Sequence, residues 1–409
     1  MGIPALHPGL NPIHSAANMK ICILNSVHPI YDTRLRRVAE TLSEAGHEIT
    51  VLAPSSGEGD QGGFEERFNI SFIGIQRAAQ GRFEKGRSLG GILKTIFSRV
   101  MIAADLFRLG LKTRADVYHC NEMDSWVVGI LLKLLLKRGV VFDVHEYYPA
   151  RVAETALSPQ LGKWVERMVR NSFSFFSRLS DGLVFVNDSI ASLYKFRCPY
   201  IVLRNCVRIR DFRPLPVVEN LQKTFQDRTI VVHIGNLRVG YGAKALLESL
   251  QYIQDPAILF LILGGADEGF LRGVEEGGYT EQVKVVKQMP LEEMLDYLSL
   301  AEIGITLLQP SDKNMIYSLG RKFLEYIAAG IPIVISDFPE YRVLVDRYDL
   351  GLVVDPEQPQ EIAAAITKLA ADPGLRERLG KNAARAFDEE LNWELESGNL
   401  VNLYDGLRS

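Results

Sequence analysis

Long apolar runs are missing from this 409-residue chain. No stretch of 18 uncharged apolar residues occurs, which excludes a helix that spans a bilayer. Cysteine is scarce: Cys22, Cys120, Cys198 and Cys206 show neither Cys-x-x-Cys nor metal-ligand spacing. They are expected to be reduced thiols of a cytosolic protein. No Gly-x-Gly-x-x-Gly follows the first strand of either half, and Gly264-Gly265 lacks the remaining spacing. That argues against a nicotinamide dehydrogenase. The basic stretches carry no recognisable nucleic-acid module, so no nucleic-acid partner is expected. The first 18 residues, MGIPALHPGLNPIHSAAN, hold three prolines but none of the regions of a signal peptide. Gly2 lacks the Ser or Thr that myristoylation requires. Residues 1–18 read as a disordered leader, with Met19 as an alternative start.

What is present is regular. A chain of this length exceeds what one core supports, so two domains are the default. β-rich apolar runs alternate with helical patterns throughout, the mark of parallel α/β sheets. Strands are expected near 20–25, 48–53, 69–74, 116–119, 140–144, 182–186 and 200–203. A second series falls near 229–234, 257–263, 283–286, 303–308, 332–335 and 351–354. Between them VRIRDFRPLPVVEN lacks periodicity and carries Pro214 and Pro216, marking a boundary near 207–226. The expected division is a domain over 19–212, a second over 213–390 and a C-terminal helix over 391–409. Residues 1–210 hold 27 basic against 19 acidic residues, a balance of +8, and the remainder holds 19 against 31, or −12. A basic half of this kind suits an anionic surface or acceptor.

The most informative stretch is GITLLQPSDKNMIYSLGRKFLEYIAAGIPIVISDFPE, residues 304–340. It reads strand, polar loop, helix, Gly-x-Pro, buried strand. The helix is expected from near Ser318 to Gly330, whose missing Cβ suits the left-handed position after a helix. Pro332 blocks continuation. Leu319 and Gly320 open this helix, with Arg321 and Lys322 in its first turn. Free backbone N–H groups, the positive end of the dipole and two cations describe an anion site. Glu325 shares a face with Lys322 and Arg321. A diphosphate at the helix start with hydroxyls beside Glu325 would fit a nucleotide sugar. An Arg–Glu pair at this spacing is also ordinary helix decoration, and both readings stand at this point.

Several segments in order resemble one family. HIGNLRVGYGAKALLESL, LFLILGGADEGF, LEEMLDYLSLAEIGITLL and GRKFLEYIAAGIPIVISD in the second half, with NSVHPIYDTRL, ADVYHCNEMD and VVFDVHEYYP in the first, carry the likeness. They resemble the retaining GT-B glycosyltransferases of the large family 4 type (glycosyl transferases group 1), in the surface-polysaccharide and lipopolysaccharide subgroup. The resemblance implies an α/β fold of two Rossmann-like doubly wound domains facing across a cleft. The first would serve the acceptor and the second a nucleotide-sugar donor. It implies that Glu325 holds the donor ribose hydroxyls and that His145 reaches the donor sugar. Without the resemblance, the alternative is a core histidine hydrogen-bonded between Asp143 and Glu146, but its place at the carboxyl end of a strand favours the site.

The diphosphate-binding part departs from the family pattern. Gly235-Asn236 stands for the usual Gly-Arg, and Tyr241-Gly242 for the usual Lys-Gly. Tyr317 occupies the place of the first glutamate of the usual pair. Arg238, Lys244, Arg321 and Lys322 are the cations available to replace the missing charge, each with a solvated-surface alternative. His145, Lys322 and Arg238 are accordingly the catalytic candidates. Glu325, Gly320, Leu319, Arg321, Gly235, Lys244, Arg34 and Glu122 are the substrate-binding ones. Arg34 is placed to meet an acceptor phosphate or to serve the fold. Asp32, or else Thr33, is placed to cap the following helix. Asn121 and Glu122 stand where the family often has His and Asp.

Transfer from such a donor must neutralise a departing diphosphate. With no Asp-x-Asp in the donor loop, this is expected from side chains and amides rather than from a metal or other cofactor. Retention would come from same-face attack, since no carboxylate pair is assignable for the covalent glycosidase route. Residues 92–112 and GKWVERMVRNSFSFFSRL are basic amphipathic helices that either pack on the sheet or lie on anionic lipid. The expected acceptor is a lipid-linked saccharide or glycan, with the protein cytoplasmic or peripheral on the inner face of the cytoplasmic membrane. The rival reading is a catalytically silent GT-B subunit that binds a partner or a sugar, for which Tyr317, Asn236 and Tyr241 speak.

Overall fold

A computed structural model describes residues 18–57, 59–76, 89–153, 158–215 and 218–407. The leader expectation over 1–18 therefore lies almost wholly outside the described residues. The chain forms two compact units. The first runs to Arg204 and takes back the chain from Ser397 onward; the second is Asn205–Glu396.

In the first unit seven parallel strands appear: β1 (Lys20–Leu24), β2 (Glu48–Pro54), β3 (Ile70–Ile75), β4 (Val117–Cys120), β5 (Gly139–Val144), β6 (Gly182–Phe185) and β7 (Tyr200–Val202). Their order is β3-β2-β1-β4-β5-β6-β7. β4, β5 and β6 are buried on both faces or nearly so, which is why they read as unbroken apolar runs. Helices α1 (Thr33–Glu44), α2 (Leu89–Thr113), α3 (Met123–Leu136) and α4 (Pro159–Phe176) are among the crossovers. The Trp126 ring of α3 stacks on Phe142 of β5 at 4.3 Å and meets Phe173 of α4 at 5.1 Å, so α3 and α4 share one face of the sheet. The strand order reverses between β1 and β4. At such a switch point the strands' carboxyl ends leave a crevice for ligands.

The second unit repeats the plan with β8 (Thr229–Ile234), β9 (Ile258–Leu263), β10 (Val283–Val286), β11 (Ile303–Thr306), β12 (Ile333–Ser336) and β13 (Gly351–Val354). The order β10-β9-β8-β11-β12-β13 puts its switch point between β8 and β11. Helix α5 (Ala243–Leu250) follows β8 and helix α6 (Arg321–Ala328) follows β11. The α6 helix starts later than the sequence suggests. Gly320 is extended (φ −70°, ψ 140°) and its N–H donates to the Tyr341 hydroxyl at 2.9 Å, which holds the chain out of the helix until Arg321. Gly330 takes φ +70°, as a helix-stop glycine should.

Helix α7 (Trp393–Gly406) belongs to both units. Trp393 N–H donates to the Val207 carbonyl in the second. Further along, in the first unit, the Tyr404 hydroxyl lies 2.7 Å from His119 Nδ1. Among the described residues, no helix is long and apolar enough to cross a membrane.

Candidate active site

In the second unit the loops after β8 and the start of α6 come together. One residue explains how α6 is held. The ring of Tyr326 lies on β11 where Gly304 has no side chain; a Cβ there would stand 2.6 Å from the ring. The Tyr326 hydroxyl accepts from Ile234 N–H at 3.0 Å and shares its proton between the Val232 and Ile305 carbonyls, each at 3.1 Å. One tyrosine thus ties α6 to both switch-point strands, and fixes Lys322 and Glu325 one turn before it and beside it.

Lys322 lies over the end of β8. Gly235, at φ +82°, makes room for it, because a Cβ would sit 3.2 Å from Lys322 Cε. The Lys322 ammonium donates to His233 Nε2 at 2.9 Å. Burial, and then the Lys322 charge, hold His233 well below the ordinary histidine range, so its imidazole is neutral. Burial lowers Lys322 to about 8; Glu325 opposes this and the Arg238 charge adds to it. Both cations use one platform. Lys322 Nζ lies 5.0 Å from the centroid of the Tyr241 ring, and Arg238 Cζ lies 4.9 Å from it. Tyr241, standing where the family pattern has a lysine, therefore gathers two cations instead of supplying one.

Glu325 is 5% exposed, and its Oε1 accepts from Arg321 Nε at 2.7 Å. No side chain caps α6, which leaves its dipole end to the solvent or a ligand.

Some expected residues do not join this cluster. Lys244 stands apart from it: its side chain is 74% exposed and pairs with Glu248 one turn along α5 at 3.6 Å, a solvated helix pair. Leu319 is buried in the apolar core between sheet and helices, so only its backbone faces any ligand. The Gly320 N–H, expected as an anion donor, is already bound to Tyr341. Tyr317 ends the short helix Lys313–Ile316.

In the first unit the polar residues gather on Asp143, at the carboxyl end of β5. Arg34 on α1 donates to it twice, from Nε and Nη2, both at 2.8 Å, and gives Nη1 to the Leu203 carbonyl at 2.7 Å. Arg34 is a buried tie between α1, β5 and the end of β7, and its donors are spent on the fold rather than aimed at an acceptor. Asp32, not Thr33, caps α1, accepting from the N–H groups of Arg34 and Leu35. His145 Nε2 lies 3.4 Å from Asp143 Oδ2, and His119 Nε2 lies 3.8 Å from it.

Burial alone would raise the Asp143 carboxyl, yet Arg34 and His145 hold it well below the usual carboxylate range. The reverse balance applies to His145. Burial would lower it, but the Asp143 charge wins and raises it. Glu122, at the start of α3, is raised by burial and by Asp124, against the pull of His145. The Tyr148 hydroxyl donates to Glu122 Oε2 at 3.3 Å.

Sequence reasoning passed over His233, Tyr241 as a platform, Asp143 as a hub, and His119. A signal was available for three of them. Each is a lone polar residue near the carboxyl end of an apolar strand, in TIVVHI, GVVFDV and VYHC. Among the described residues, no group of three or more His, Cys, Asp or Glu side chains is arranged to hold a metal ion.

Comparison with known proteins places this arrangement. The family described as "Glycosyl transferases group 1" matches residues 219–386, and "Glycosyl transferase 4-like domain" matches residues 31–195. Alpha-D-kanosaminyltransferase of Streptomyces kanamyceticus is 27% identical over 298 residues, 70% of this chain and 75% of that one. Three other curated relatives are matched over a little under half of their length. Sucrose-phosphate synthase of Thermosynechococcus elongatus superposes with a TM-score of 0.72 at 18% identity, over 95% of this chain and 99% of that one. The Anabaena HepE structure in complex with UDP gives 0.70 at 16% identity, over 95% and 100%. With both family segments matched in order, on two parallel α/β units, the chain belongs to the group 1 glycosyltransferases of GT-B fold.

Proposed function

We propose that this glycosyltransferase moves a sugar, with retention, from a nucleoside-diphosphate sugar to a lipid-linked or polysaccharide acceptor in cell-surface glycan synthesis. One observation carries the donor half of the reading. Lys322 and Arg238 converge on the Tyr241 ring beside the uncapped start of α6, with Glu325 on the same helix. A lysine whose charged form is disfavoured by burial, and further by the Arg238 charge beside it, gains from a dianion between the two cations. UDP bound to HepE supports a nucleoside diphosphate as that anion.

As the bond from the sugar C1 to the diphosphate breaks, negative charge grows on the departing oxygen. Lys322, Arg238 and the α6 amides of Arg321 and Lys322 neutralise it where charge develops. Glu325, released in part from Arg321, accepts from the ribose hydroxyls. The acceptor hydroxyl attacks on the same face, and its proton passes to the leaving diphosphate oxygen. His145, whose proton affinity Asp143 raises against the effect of burial, is assigned to the transferred sugar, and Glu122 to the acceptor. The diphosphate charge is assigned to these side chains rather than to a metal or organic cofactor.

A thermal-shift panel of UDP, GDP and ADP sugars tests the reading. The true donor at 100 times its dissociation constant adds roughly 2.7 kcal/mol, and Glu325→Ala removes the shift. If no nucleotide sugar shifts the wild type, the proposal fails. Binding without turnover would favour a catalytically silent subunit, which Asn236, Tyr241 and Tyr317 in place of family residues would suit.

The acceptor half rests on the first unit's basic balance and on apolar side chains exposed on α2, α3 and α4, which suit peripheral contact with an anionic membrane. Salt-sensitive sedimentation with anionic vesicles is the expected outcome.

A further inference from the structure

Helices α2 and α3 run side by side on the first unit's sheet. They touch where Gly110 meets Leu132; a Cβ on Gly110 would stand 2.7 Å from Leu132 Cδ1. Toward the carboxyl edge of the sheet the small side chains of Ala103 and Ala104 line the space between them. The result is an open groove of about 560 Å³. Its walls are Ile96, Val100 and Phe107 on α2 and Val127 and Leu131 on α3. Val100 is 59% exposed and Leu131 50% exposed, so large apolar groups on both walls face solvent. The mouth is polar: Arg99 donates to Asp124 at 3.1 Å, in the first turn of α3 and two residues from Glu122.

We infer that this groove holds the hydrocarbon chain of an anionic lipid, with the lipid's polar end at the mouth beside Glu122. Three observations select this occupant. The groove is apolar along its length, and the lining charges, Arg99 and Asp124, are paired beside the start of α3, which suits a hydrocarbon chain with its polar end there. Its polar end opens at the sheet edge that carries His145 and Glu122, where the head of an acceptor would have to be. The surrounding surface is both basic and apolar. Among the described side chains helices α2, α3 and α4 carry seven Lys and Arg against three Asp and Glu, and Trp164 and Met168 are exposed apolar groups on α4. Such a face attracts anionic headgroups, whereas two copies of it repel each other. The inference rests on the proposed function for one point, that the bound lipid is the acceptor. The groove itself is independent of it.

The full chain is titrated with hexyl, octyl and decyl phosphate below their micelle concentrations, with inorganic phosphate as the chainless control. Affinity is expected to climb with chain length, by up to roughly fourfold per methylene buried, at one molecule per chain. Leu131→Asp and Val100→Asp should flatten that dependence and weaken decyl phosphate at least about tenfold, while Leu131→Met keeps it. Melting curves confirm that the variants are folded.

Affinity that does not depend on chain length, or Asp variants that bind as the wild type does, would overturn the inference. Anionic vesicles separate chain uptake from headgroup adsorption. Vesicle binding unchanged in both Asp variants means adsorption only and also sinks it. A wild type that dimerises and ignores alkyl phosphates, with Leu131→Asp monomeric, would show a second copy as the occupant. If nucleotide sugars fail to bind but chain-length dependence holds, the proposed donor chemistry falls and the groove stands.

Discussion

The two units solve the same problem with opposite electrostatics. Each places titratable side chains at the carboxyl ends of strands beside its switch point. In the first unit a carboxylate is the hub. Asp143 gathers Arg34, His145 and His119, stays ionised despite full burial, and raises the proton affinity of His145. In the second unit the hub is a cation. Lys322 meets a neutral His233 and shares the Tyr241 ring with Arg238, and its own proton affinity falls. The first cluster neutralises itself, so it serves to hold His145. The second carries surplus positive charge, and it gains most from a bound anion. Opposite responses to mutation and to pH follow from that contrast.

The largest effect is expected in the first unit. Asp143→Ala leaves the Arg34 guanidinium buried without its carboxylate, a loss on the order of 3–5 kcal/mol in chemical denaturation. The sign with pH is fixed by the lowered Asp143 carboxyl. Its contribution is complete above the unfolded carboxylate value of about 3.9 and is lost as pH falls through the folded one. A variant as stable as the wild type would show that Asp143 is not the hub and would erase the contrast between the units.

Why one cluster was readable from sequence and the other was not follows from chain separation. Among the described residues thirteen strands show in the sequence: the central ones, covered on both faces, must be apolar runs, and the edge strands β3, β7 and β10 are apolar-rich although partly exposed. The Arg321–Glu325 pair is legible because a helix brings neighbours four apart together. Arg34 and Asp143 are 109 residues apart, and Lys322 and His233 are 89 apart, so no local period relates them. Arg34 therefore looked available for an acceptor when the sheet had already used it. The start of α6 slipped for the same reason, since Tyr341, 21 residues away, takes the Gly320 N–H. The groove between α2 and α3 depends on how two helices pack side by side, and an amphipathic pattern does not report that.

The next effect belongs to Lys322. Lys322→Met removes a charge-assisted contact to the donor diphosphate, worth about 1.5–3 kcal/mol, or roughly ten- to a hundredfold in dissociation constant. Unlike Asp143→Ala, it should not destabilise the unbound protein, because it removes a cation whose burial is unfavourable. Two pH slopes then run in opposite directions. Lys322 is lowered from 10.5 to about 8, so between those values the unfolded chain holds the extra proton and stability rises with pH. Donor affinity instead falls as pH passes about 8, because the diphosphate needs the charged ammonium. Calorimetric titration of wild type and Lys322→Met across that window checks both slopes. A wild-type affinity that is flat with pH would remove Lys322 from the site.

The smallest effect marks the edge of the cationic cluster. Lys244 follows the same glycine turn as Tyr241, and by sequence it was a candidate for the diphosphate. Its ammonium instead lies in solvent, paired with Glu248. An exposed pair of this spacing contributes about 0.3–0.5 kcal/mol and is screened by salt. Lys244→Ala should therefore change stability by no more than that, and donor affinity less than about twofold. The comparison with Lys322→Met is direct, because both substitutions remove one lysine charge from the same unit. If Lys244→Ala weakened the donor as much as Lys322→Met does, general positive potential rather than the Tyr241 platform would account for diphosphate binding, and the geometry at Lys322 would lose its special role.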